Sequence, residues 1–97
     1  VDELSRLRQE LDGIDAGIVD AIADRFAMVR KIGAAKAQSG TAVRDVSREA
    51  VVFDNVRQRA VDLGISPQVI TEVFTILITG SLVEQGHDAA WKDVSPN

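Results

Sequence analysis

The residues of this 97-residue chain best equipped for chemistry are polar side chains that interrupt apolar stripes. Arg25 occupies a place in the seven-residue series Leu4, Leu11, Ile18, Arg25, Ile32, and Lys36 follows Ile32 by one helical turn. Eleven residues separate Arg25 from Lys36, so in a helix the two project from nearly one face, about 16 Å apart along the axis. Further on, Phe74, Ile78, Ser81 and Gln85 succeed one another at spacings of four, three and four, so Ser81 and Gln85 extend an apolar face. Two inward cations with two neutral polar groups suit a small anionic ligand held from both ends. Each residue alone also has a plainer account. A long cation can pack its stem and keep its head in water, a serine can bond its own helix backbone, and Gln85 can sit on the surface beyond the core. Convergence favours function, because long cations are rarely buried without a partner.

Two further features belong with these. The run Arg44-Asp45-Val46-Ser47-Arg48-Glu49 puts Asp45, Arg48 and Glu49 on one side of a first helical turn. Capping by Asp45 and a solvated Arg/Glu pair would explain it, and so would a ligand with anionic and hydroxyl groups; spacing does not choose. Arg8 lies beside the seam between Leu4 and Leu11, roughly 25 Å along a continuous helix from Arg25 and roughly 40 Å from Lys36. It cannot share a site with them in one chain, but an antiparallel, two-fold partner would bring its own Arg8 to that site.

The elements that must position these residues are helical. No proline occurs between Leu4 and Ala37, and apolar residues recur in a three/four alternation through Leu7, Leu11, Ile14, Ile18, Ile22, Val29 and Ile32. Gly13, Gly17 and Gly33 each weaken such a helix by about 1 kcal/mol relative to alanine. The expected fold is all-α, a single domain over 1–97 with helices at roughly 3–38, 46–63 and 67–90. Asp45 or Ser47 can cap the second helix and Gly64 can stop it. Ser66-Pro67 starts the third, which ends at Gly86 or runs on toward Trp91, ahead of a frayed tail at Val94–Asn97. The first helix would span roughly 50 Å and the others roughly 25–35 Å each. Two short helices cannot cover the long seam, so a homodimer is expected to bury the remainder.

Composition narrows the function classes. A net charge of −4 and 4% aromatic content argue against a nucleic-acid surface. With no cysteine, thiolate nucleophiles, disulfides and cysteine metal sites are excluded, and the single His87 has no partner at ligand spacing. No metal is expected. No apolar run is long enough for a membrane span and the N-terminus does not read as a signal peptide, so a cytoplasmic location is expected. A start at Val1 is compatible with a piece of a longer polypeptide.

Leu7-Arg8, Leu11, Ile14-Asp15, Asp24-Arg25, Gly33, Lys36, Val43-Arg44-Asp45, Arg48-Glu49, Ser81 and Gln85 together resemble the AroQ (all-α) chorismate mutases. No single element is specific; the ensemble is, and it covers nearly the whole chain from Leu4 to Gln85. The resemblance implies an intertwined dimer of three-helix protomers that converts chorismate to prephenate in the shikimate pathway toward phenylalanine and tyrosine, without a cofactor. It implies that Arg8 reaches across the dimer to one substrate carboxylate and Arg25 binds the other. Lys36 and Gln85 would hydrogen-bond the ether oxygen, with Lys36 also near a carboxylate. Glu49 and the Asp45 backbone would hold the ring hydroxyl, and Arg48 and Ser81 would complete the wall. Phe26 and Ala50 stand where relatives often carry charge, and neither is an implied ligand.

The reaction so implied is unimolecular and pericyclic, so it needs a held conformer and stabilised charge rather than a nucleophile. Isochorismate pyruvate lyase shares the fold, but Asp45, Arg48, Glu49 and Ser81 favour the mutase. A 4-amino-4-deoxychorismate mutase differs only at the ring substituent near Glu49 and stays open. A non-catalytic helical dimerisation or regulatory module is the alternative of another class, and it gives inward Arg25, Lys36 and Gln85 no reason to coexist.

Overall fold

The computed structural model describes residues 2–86. Three α-helices follow in chain order, α1 (Glu3–Ser39), α2 (Val46–Leu63) and α3 (Pro67–Glu84). Among the described residues there is no strand. Local signals account for the ends. Asp2 caps α1 by accepting from the Ser5 amide at 2.7 Å. Gly40 ends the helix with a φ of 72°, a left-handed conformation that a side chain would strain. Asp45, rather than Ser47, caps α2, its Oδ1 accepting from the Arg48 amide at 3.0 Å. Ser66 caps α3 ahead of Pro67 in the first turn.

The expected extension of α3 to 90 is corrected in its first part: Gln85 is already the C-cap and Gly86, at φ 101°, turns the chain away. The remainder of that extension, His87 and the expected tail lie outside the described residues.

Helix α3 is the central element, packing against both α2 and α1. Its Ile78 and Leu82 are buried together with Val29 of α1 and Ala60 of α2. Contact with α1 involves only the second half of that helix, where the less exposed positions are Ile22, Arg25, Phe26, Val29, Gly33 and Lys36. That 3.6-residue period is the buried stripe of an amphipathic helix. Every described residue before Ile22 is exposed. Leu4, Leu7, Leu11, Ile14 and Ile18 retain between 46% and 62% of their accessible surface. The chain accordingly measures 57 × 30 × 24 Å, with a radius of gyration of 16.4 Å against about 13 Å for a compact chain of this size.

Candidate active site

The second half of α1, the loop into α2 and the end of α3 enclose a cavity of about 150 Å³. Arg25, Lys36, Asp45, Arg48, Glu49, Ser81 and Gln85 all line it, so seven of the eight residues expected at the site meet in one place. Arg8, the eighth, lies on the exposed half of α1 and does not line it. The rest of the wall is apolar, from Val29, Ile32, Val43, Val52, Ile78 and Leu82.

Lys36 ties the three walls together. Its Nζ donates to Val43 O of the loop at 2.6 Å and to Gln85 Oε1 of α3 at 2.8 Å. An ammonium has three protons, so one remains for a ligand. The bond also orients the amide: facing a group that only donates, Gln85 must present its oxygen. The Nε2 protons of Gln85 then have no partner among the described residues. Two donors beside one cavity are thus left with protons to give.

Arg25 donates to Ser81 Oγ, and Ser81 in turn donates to Leu77 O at 2.8 Å. The backbone account of Ser81 holds, and that bond orients an oxygen that also receives the arginine. The Arg25 guanidinium also lies 5.8 Å from the centre of the Phe74 ring. Burial first, and the nearby Arg48 charge second, push the Arg25 pKa down from its ordinary value. An arginine remains charged under such a shift.

The two carboxylates at the cavity each have a partner within the chain. Glu49 pairs with Arg44, its Oε2 accepting from Nε at 3.1 Å, and Asp45 caps α2. Among the described residues Arg25, Lys36 and Arg48 form no salt bridge. The site therefore offers three cations to an anionic ligand, above an apolar floor that suits a carbon ring.

Several of these features lay beyond the reach of spacing. The Val43 carbonyl became a lysine acceptor only through the course of the loop, and the Arg44–Glu49 pair spans the start of a helix rather than its face. Phe74, by contrast, was visible as the apolar residue one turn before Ile78, although its place beneath Arg25 was not.

Residues 7–86 match the family described as chorismate mutase type II. The T-protein of Enterobacter agglomerans is 29% identical over 99% of this chain, which covers 26% of that protein. A chorismate mutase of Methanocaldococcus jannaschii is 27% identical over 80% of this chain and 79% of its own length. A 4-amino-4-deoxychorismate mutase of Streptomyces venezuelae is 29% identical over 79% of this chain and 75% of its own. This chain thus spans about a quarter of one relative and most of the other two. Seven site residues lining one cavity, inside a family match that takes in all but the ends, lead to one conclusion: the chain belongs to the chorismate mutase type II family.

Proposed function

We propose that this chain is a chorismate mutase that rearranges chorismate to prephenate in a site completed by a second copy of itself. The observation that carries the reading is the convergence of Arg25, Lys36, Arg48, Ser81 and Gln85 on one cavity, with its three cations unpaired by carboxylates among the described residues. Chorismate is a ring bearing two carboxylates and an ether-linked side chain. In the reaction the ether C–O bond breaks as a C–C bond forms within the same molecule, so the side chain moves from oxygen to a ring carbon with no proton transferred and nothing leaving the molecule. Arg25 and Arg48 bind carboxylate, and the apolar walls hold the ring against the side chain in the reactive conformer. Negative charge grows on the ether oxygen as its bond lengthens. The spare protons of Lys36 Nζ and Gln85 Nε2 stabilise it there without reorganisation.

The second copy is supported by what one protomer leaves uncovered. Leu4, Leu7, Leu11, Ile14 and Ile18 of α1 face solvent, and a largely apolar hollow of about 160 Å³ lies between α2 and α3, where Arg59 joins Val56, Ala60, Leu63, Ile65, Ile70 and Phe74. Antiparallel pairing would bury the first on the partner and bring the partner's Arg8 to a substrate carboxylate.

A second reading, mutase action on 4-amino-4-deoxychorismate, is favoured by the Streptomyces venezuelae relative of that name. Glu49 could accept from an amine as readily as from a hydroxyl. Parallel incubation of the purified chain with chorismate, isochorismate and 4-amino-4-deoxychorismate, with product identification, separates these. Prephenate from chorismate at the highest kcat/KM is expected. A preference for the amino compound supports the second reading, and no consumption of any of the three contradicts both.

A further inference from the structure

Helix α1 meets the end of α3 at Gly33, one turn before Lys36. A Cβ at that position would lie 3.1 Å from Gln85 Cγ, 3.3 Å from Gln85 Cα and 3.4 Å from Gln85 Cβ. Carbon atoms rest about 3.5–4.0 Å apart, so a methyl group there would be crowded. Cγ could swing aside, but Cα moves only with the end of α3 itself. All three crowded atoms belong to the residue proposed to donate to the ether oxygen. Gly13 and Gly17, on the same helix, have open space where a Cβ would go. A mid-helix glycine costs about 1 kcal/mol relative to alanine, and only at Gly33 does the protomer show what that cost obtains.

The crossing is fastened on both sides. Toward the cavity, Lys36 holds Gln85 Oε1 at 2.8 Å. Toward solvent, Arg30 of α1 pairs with Glu84, the residue next to Gln85, also at 2.8 Å. We propose that Gly33 is a positioning residue: its missing side chain seats the end of α3 so that the Gln85 amide stays on Lys36 with its Nε2 protons in reach of the ligand. This rests on the mutase reading above. Gly33 touches no substrate and acts only through Gln85, and a shift of a few tenths of an ångström would fall on a group whose placement sets the rate.

The test compares Gly33→Ala with the wild type in the full chain. It uses chorismate kinetics and the side-chain amide resonances of Gln85 in the ligand-free protein. Gly33→Ala is expected to lower kcat about tenfold with KM within about twofold, and to move the Gln85 amide resonances. In a Gln85→Ala background, adding Gly33→Ala should cost less than about twofold more, because no amide remains to displace. A merely structural role would lower activity by the same factor in both backgrounds. Wild-type kcat and unmoved resonances in folded Gly33→Ala overturn the proposal, as does a full tenfold loss in the Gln85→Ala background. Should Gly33→Ala not fold, Arg30→Ala loosens the same crossing without adding an atom. It should lower kcat two- to threefold and move the same resonances, and no change in either is again contrary. A wild-type chain that does not turn over chorismate defeats the mutase reading instead, while the Gln85 resonances still report whether Gly33 seats that residue.

Discussion

At the scale of single residues, the cavity is marked by donors left unsatisfied among the described residues. Lys36 fixes which way Gln85 presents its amide, and the remaining protons of both residues are what a developing negative charge would meet. Changing one atom of Gln85 tests this. Gln85→Glu beside Lys36 favours a carboxylate, which can only accept and would repel the ether oxygen. The protonated acid can still donate. Activity of the variant should therefore rise as pH falls and vanish as the acid ionises, whereas the wild type should be flat over the same range. A pH–rate profile of kcat checks it, and a flat profile at wild-type rate would remove Gln85 from that role. The residue types were largely legible from spacing, because Arg25, Lys36, Ser81 and Gln85 interrupt apolar periods. Their pairings were not. That Ser81 receives Arg25 while bonding Leu77 O depends on the angle at which α1 and α3 cross, which no period within one helix encodes.

At the scale of elements, caps and crossings position those side chains. Asp45 starts α2 and so places Arg48 and Glu49 at the cavity. Asp45→Ala should lower stability by about 1 kcal/mol, while Asp45→Asn, which caps equally well, should retain it. Chemical denaturation distinguishes them, and activity should survive in both if the ligand meets only the Asp45 backbone. Equal stability of the two variants would mean that the cap contributes little. The first two helices could be read almost to their ends, since Asp45, Gly40 and Gly64 are strong local signals. The end of α3 was harder: Gly86 competed with apolar residues beyond it, and the turn at Gln85–Gly86 decided in favour of the earlier stop. Gly33 looked like a weakness in α1 when read along the helix. Its use becomes visible only across the crossing, where Gln85 occupies the space a side chain would need.

At the scale of the whole molecule, the chain leaves much apolar surface uncovered. Its described residues bury only Val29, Ala60, Ile78 and Leu82 as an apolar core, and half of α1 stands clear of the rest. Ile14, 62% exposed, illustrates the consequence. Ile14→Asp would disturb nothing within the protomer. If the seam pairs with a second copy, however, the substitution buries a charge and should convert dimer to monomer with loss of activity. Sedimentation velocity would show it, and an unchanged sedimentation coefficient would place the partner elsewhere. The expectation of a partner rests on helix lengths, because two short helices cannot cover a long seam. If each site draws on two chains, subunit exchange shows it most directly. Arg8→Ala and Lys36→Ala, each inactive alone, are mixed in equal amounts and allowed to exchange. Half of the dimers are then mixed, each with one intact site of two, so activity should recover to about a quarter of the wild-type level. No recovery, with exchange demonstrated independently, would contradict a site shared between chains.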